Sequence, residues 1–201
     1  MTTLANETEW IQQARRGDQA AFGRLVVAYQ TPVYNLSYRM LGNRGEAEEA
    51  AQEAFLRAYT RLHSYDPQRP FRSWMLSIAS HYCIDLLRKR RITWLSFEDE
   101  IAVNGDSTGN NPGVNRTHLA SSSPNPEAVM ARKEKEAQVQ QLLTALSPTD
   151  RAAITLRYWY DYSYEEIAAT LNLTVSAVKS RLHRARRGLA KKIQEDNDDE
   201  L

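Results

Sequence analysis

Residues 165–182 read EEIAATLNLTVSAVKSRL, two helical patterns folded about the four-residue break Asn172 to Val175. A helix-turn-helix needs a small residue where its helices cross, and Ala168 supplies it. It needs a turn residue that tolerates the left-handed conformation, and Asn172 serves where glycine is more usual. Apolar Ile167, Leu171, Leu173, Val178 and Leu182 lock the crossing angle, and Thr174 can cap the second helix. Along that helix Val178, Leu182, Ala185, Leu189 and Ile193 fall on one face, the expected core face. Ser176, Ser180, His183, Arg184 and Arg187 fall on the opposite one, with Lys179 and Arg181 beside them. Arginine, serine and histidine there can bond base edges in a major groove, while the flanking cations neutralise phosphates. The ordinary alternative is a solvated basic helix; the complete motif favours DNA.

The charge pattern points the same way. The 201 residues carry a net charge of only +1, but it is unevenly mixed. From Lys179 to Lys192 there are seven basic residues and no acid, and Arg88, Lys89, Arg90 and Arg91 form a second block. The last seven residues hold five acids, a tail that either solvates the end or shields the basic helix. Such local patches bear on anionic partners in a way the total does not. Other function classes lose support. One cysteine, Cys83, makes neither an internal disulfide nor a thiolate cluster, and four scattered histidines argue against a metal site. No phosphate-cradling glycine loop occurs, nor a constellation of nucleophile, base and oxyanion donors, so neither an enzyme nor a cofactor is expected. No apolar run approaches the roughly 18 residues of a membrane span, and the N-terminus lacks the regions of a signal peptide.

Outward from the motif the pattern stays helical. Ser163-Tyr164-Glu165-Glu166 is a capping box, and Ser147-Pro148-Thr149-Asp150 reads as N-cap, N1 proline and acidic N3. Residues 96–126 are polar and rich in Gly, Asn, Ser and Pro, which reads as a flexible linker. Before it, Phe22, Leu25, Val26 and Tyr29 keep a helical period, Thr31-Pro32 reads as the start of a new helix, and Gly42 as its left-handed cap. The expected fold is all-α: two small helical domains, 1–95 and 127–194, joined by that linker, the second containing the helix-turn-helix, with an acidic tail at 195–201.

The first half offers three candidate faces. On the helix from Glu46 to Leu62, Ala47, Ala50, Ala51, Ala54, Phe55 and Ala58 make the core side. Glu49, Gln52, Glu53 and an exposed Leu56 stand away from it. An acidic stripe with an apolar centre suits a protein partner better than DNA, although an ordinary solvated face is the alternative. His63 to Pro70 is a loop whose Tyr65 could stack on a base. From Phe71 to Arg91, Ser73, Ser77, Ser80, Ile84 and Arg88 form an outer stripe, with Arg72 and His81 beside it and Arg91 beyond. Trp74 and Cys83 read as core.

Three segments then carry a resemblance: YQTPVYNLSYRMLGNRGEAEEAAQEAFLRAY, FRSWMLSIASHYCIDLLRKRR and LSPTDRAAITLRYWYDYSYEEIAATLNLTVSAVKSRLHRARRGL. In this order, around a linker, they resemble the extracytoplasmic-function class of bacterial RNA polymerase sigma factors. The resemblance implies a region 2 domain that grips the polymerase clamp through Glu49, Gln52, Glu53 and Leu56. That domain would melt the promoter −10 element with Tyr65, Arg72, Ser77, His81, Arg88 and Arg91. It implies a region 4 domain that reads the −35 element with Ser176, Lys179, Ser180, Arg181, His183, Arg184 and Arg187 and meets the polymerase flap. The implied partners are core RNA polymerase, promoter DNA and an anti-sigma factor. Catalysis and its magnesium would belong to the polymerase, and the chain would be a cytoplasmic monomer when free. The family usually has asparagine where this chain has His81, which puts a base contact there in doubt. Two rivals remain: an autonomous helix-turn-helix regulator, and an interaction protein that binds polymerase or a sigma factor without reading DNA.

Overall fold

The structure, a computed structural model, describes residues 3–101 and 126–198. Its first part holds α1 (Thr3–Arg15), α2 (Gln19–Leu41), α3 (Arg44–Arg61) and α4 (Phe71–Ile101), with a short 3-10 turn at Leu62–Ser64. Its second part holds α5 (Pro126–Thr144), α6 (Pro148–Trp159), α7 (Tyr164–Leu171) and α8 (Val175–Asp198). There is no strand among the described residues. α4 runs on to Ile101, into the stretch the sequence assigns to the linker; most of that linker, and the end of the acidic tail, lie outside the described residues.

Local chemistry sets most of the boundaries. The Asp18 carboxylate accepts from the Ala20 and Ala21 amides at 2.9 and 3.1 Å and starts α2. Gly42, at φ 79°, closes it by donating to the Tyr38 carbonyl. The break expected at Thr31-Pro32 is absent, because α2 runs through Pro32 unbroken. A proline inside a helix loses one hydrogen bond and costs about 3 kcal/mol. Continuity here buries Val33, Leu36 and Met40 completely, which offsets that cost. Asn43 caps α3 by accepting from the Glu46 amide at 3.1 Å. The alanines of α3 are buried as read, and their small side chains let α2 and α3 approach closely.

In the second part Ser147 caps α6 and the capping box of α7 is complete: Glu166 N–H donates to Ser163 Oγ at 3.1 Å and Ser163 N–H to Glu166 Oε2 at 2.7 Å. Asn172 is left-handed, at φ 53° and ψ 49°, and Thr174 Oγ1 accepts from the Ala177 amide at 3.1 Å. Val178, Leu182 and Ala185 bury the inner face of α8. Ile193 does not join that face. It is 45% exposed, because the last turns of α8 run past the helices that cover its start.

The two parts are docked. α6 and α7 lie against α4, and α6 also against α2. The last carbonyls of α2 accept hydrogen bonds from the second part. Gln140 Nε2 donates to Tyr38 O at 3.2 Å and Arg39 O at 3.1 Å, and Arg151 Nη1 to Met40 O at 2.6 Å. The Tyr160 hydroxyl donates to Pro32 O, and the Arg39 guanidinium lies 4.1 Å from the Trp159 ring centre. Burial pulls the Arg151 pKa down to about 10.

Candidate nucleic-acid and protein interfaces

α8 presents the first face. The cap at Thr174 and the buried Val178 and Leu182 fix its rotation. That rotation leaves Ser176, Lys179, Ser180, His183, Arg184 and Arg187 exposed, as the sequence pattern predicts. Arg181 differs. It is half-buried, and its Nη1 donates to Asp150 Oδ1 on α6 at 2.9 Å. Arg184 Nε lies 3.8 Å from the other oxygen of the same carboxylate. Asp150 was legible only as a helix-start acid; its part in this cluster has no local signal. The exposed set provides hydroxyl, imidazole and guanidinium donors along one strip, a chemistry fitted to base edges and phosphates.

The stripe of α4 is not an outer face in this structure. Ser80 and Ile84 are buried, and the Ser80 hydroxyl has no hydrogen-bond partner among the described residues. Ser77 Oγ donates to the Thr170 carbonyl of α7 at 2.7 Å, and Ser73 Oγ meets the Tyr162 hydroxyl at 3.1 Å. His81 Nδ1 lies 2.8 Å from Ser77 O, on the same helix. The sequence read this mostly polar stripe as outward because it lies opposite the core of its own part; in the structure α6 and α7 lie against α4. Arg72, Arg88 and Arg91 stay exposed, while Arg90 pairs with Glu46 of α3 at 2.6 Å.

Tyr65 is likewise inside rather than poised to stack on a base. It is 5% exposed, its hydroxyl donates to Arg69 O, and its ring packs on Phe71 and Trp74 at 5.3 and 5.2 Å. A tyrosine with an apolar body and one satisfied hydroxyl is a usual core residue. The cleft beside it is lined by Glu7, Ile11 and Arg15 of α1 and by Pro67, Gln68 and Arg69 of the loop. α1 therefore joins the loop in shaping this cleft, which sequence reading missed.

On α3, Glu49, Gln52 and Leu56 are exposed, Leu56 to 58%. Glu53 is half-buried and pairs with Arg57 at 2.7 Å; the Arg57 guanidinium in turn sits 4.6 Å from the Tyr82 ring centre. This face points away from the docked second part, and an exposed leucine between polar neighbours is a usual protein-contact pattern. No group of histidine, cysteine and carboxylate side chains that could hold a metal occurs among the described residues, and none of the described helices is long and apolar enough to cross a membrane. Cys83 is fully buried, and burial pushes its thiol up to about 12.

Comparison with known proteins follows the same two parts. Residues 25–93 match the Sigma-70 region 2 family and residues 136–189 match Sigma-70, region 4. SigW of Bacillus subtilis, an ECF RNA polymerase sigma factor, is 35% identical over 185 residues, covering 92% of this chain and 95% of the relative. The ECF RNA polymerase sigma-E factor of Escherichia coli K12 is 33% identical over 186 residues, 92% of each chain. Among solved structures, CnrH in complex with the cytosolic domain of CnrY aligns with a TM-score of 0.65 at 25% identity, over 95% of this chain and 99% of that one. The sigma factor RpoE of Bartonella quintana, solved with the anti-sigma factor NepR, shares the fold at a TM-score of 0.57.

Proposed function

Since this chain belongs to the extracytoplasmic-function sigma factors, which direct promoter-specific transcription initiation, we propose how its faces divide that work. α8 enters the major groove of the −35 element. Arg184, Ser180 and His183 meet base edges, and Lys179 and Arg187 meet phosphates. The exposed face of α3, centred on Leu56 with Glu49 and Gln52 around it, grips core polymerase, and Glu53 holds Arg57 beside it. The −10 strand runs along α4, with Arg72, Arg88 and Arg91 on its phosphates and Ser77 and His81 on the strip between them. The observation that carries the reading is the exposed polar and cationic strip of α8, held in rotation by its cap and its buried valine and leucine.

The docked arrangement adds an order of events. Ser77 is engaged by Thr170, so the −10 strand and the second part compete for one face of α4. The polymerase face on α3 remains exposed in the docked state and can bind first. Polymerase then holds the two parts at promoter spacing, and each DNA contact becomes effectively intramolecular. A protein partner that keeps the parts docked would inhibit the chain; an anti-sigma factor is the partner we propose, and the similar CnrH, solved with the cytosolic domain of CnrY bound, supports a protein partner here.

The test is sigma-free core polymerase with this chain on a genomic promoter pool, sequencing the run-off transcripts. Specific transcripts are expected, and replacing both Arg184 and Arg187 by alanine should lower them at least tenfold while co-elution with polymerase persists. Unchanged transcription would refute DNA reading by α8.

A further inference from the structure

The recognition helix carries two arginines three residues apart, and one buried carboxylate bonds the first and lies within ion-pair distance of the second. Asp150 is 7% exposed at the start of α6, where the helix N-terminus favours a negative charge. Its backbone amide is bonded to Ser147 Oγ at 3.2 Å, so the residue is fixed before its side chain is considered. Oδ1 takes Arg181 Nη1 at 2.9 Å and Oδ2 lies 3.8 Å from Arg184 Nε. The arginines differ in exposure: the side chain of Arg181 is 30% accessible and that of Arg184 is 66% accessible.

Resting on the reading of α8 as the DNA-reading helix, we infer that Asp150 is a positioning residue for base readout: it tethers Arg181 to α6 and orients Arg184 by its Nε edge. A guanidinium has five N–H donors in a rigid plane. Steering it from the Nε edge leaves its terminal Nη pair for a bidentate contact with guanine O6 and N7. A free arginine on an exposed helix must lose its rotamer freedom on binding, and an anchored one loses less. Arg181, by contrast, gives an Nη1 donor to Asp150 and works as a strut between α6 and α8. The seven cations of the helix are thus not equivalent. A carboxylate this close to DNA also opposes phosphate binding, so its presence trades affinity for orientation.

The experiment uses holoenzyme reconstituted from core polymerase and the full chain. The template is a promoter recovered with the native chain, carrying every single base change in its −35 element. Asp150→Asn keeps the shape and removes the charge. It should flatten the preference at the base pair that Arg184→Ala also flattens, and at no other. The expected loss is about tenfold, within the range of one bidentate arginine–guanine contact. Binding to unrelated duplex at low salt should hold or rise, because an anion has gone. Asp150→Glu, which restores the charge, should recover part of the preference. A residue that only stabilises α6 would lower the melting temperature and move no single base preference, so that pattern overturns the inference. Flattening at positions that Arg184→Ala leaves alone also overturns it. If Arg184→Ala itself changes no preference, the reading of α8 fails, and the two failures are told apart. Should Asp150→Asn unfold the chain, Arg181→Met gives the second reading: Asp150 is left to Arg184 alone, the preference at that same base pair should persist, and its loss there overturns the inference. Loss at a different base pair would make Arg181 a reader and end the strut assignment.

Discussion

Replacing Gln140 by alanine should loosen the docked state without disturbing either part. The Gln140 amide donates to Tyr38 O at 3.2 Å and to Arg39 O at 3.1 Å, which ties α5 to the end of α2. Tyr38 O keeps a partner in the variant, since the Gly42 amide also bonds it at 2.8 Å. Arg39 O does not keep one from Gln140. Each hydrogen bond contributes about 1 kcal/mol net, so the docked state loses about 2 kcal/mol. The undocked state loses nothing, because there water reaches both carbonyls and the glutamine. At 1.4 kcal/mol per factor of ten, the undocked fraction rises about 30-fold. A ligand that binds only undocked protein gains affinity by the same factor while that fraction is small. The assay is titration of the free chain with a fluorescent single-stranded −10 oligonucleotide. Spin labels at Thr60→Cys and Ala190→Cys report separation, the buried Cys83 staying unlabelled. Gln140→Glu should act more strongly, since it sets a negative charge against the negative end of α2. An affinity change below about threefold in both variants, with the helical spectrum intact, would refute the claim that the second part competes with the −10 strand.

Three further outcomes are expected. Asn172→Gly should leave stability nearly unchanged, whereas Asn172→Ala should cost about 1 kcal/mol in denaturant titration, because the residue sits at φ 53°. The native Cys83 thiol should resist iodoacetamide at pH 8 and react only on unfolding. Its pKa rises from the ordinary 9 to about 12 on folding. The folded chain therefore holds the proton that the unfolded chain releases, and stability should fall as pH rises through that window. Leu56→Ala should leave the melting temperature within about a degree, as the side chain is 58% exposed, yet weaken co-elution with core polymerase about tenfold. Retained co-elution would remove Leu56 from the polymerase face.

What was legible in the sequence shares one property: its causes lie within a few residues. Asn172 in the turn, the Ser163 capping box, Ser147 before Pro148 and Gly42 after α2 each act over one helical turn, and the alanine face of α3 repeats with the helical period. These interactions exist wherever the chain forms that helix, so the sequence by itself determined most of the helices, the helix-turn-helix and the polar strip of α8, though not α1. Pro32 is the instructive exception. Its local penalty is real, and tertiary burial of Val33, Leu36 and Met40 overrode it.

Only the tertiary structure decided which surfaces were free. Ser77 meets Thr170 across 93 residues of chain, Tyr160 meets Pro32 across 128, and Arg181 meets Asp150 across 31. Period and propensity assign a side chain to one face of its own helix and say nothing of what lies against that face. Ser80 and Ile84 are therefore outer-stripe residues by pattern and buried residues by packing. Tyr65 is a loop aromatic by pattern and a core ring in fact, and Ile193 is apolar but beyond the reach of its neighbours. Burial is a property of pairs of elements, and it comes into being only when those elements meet.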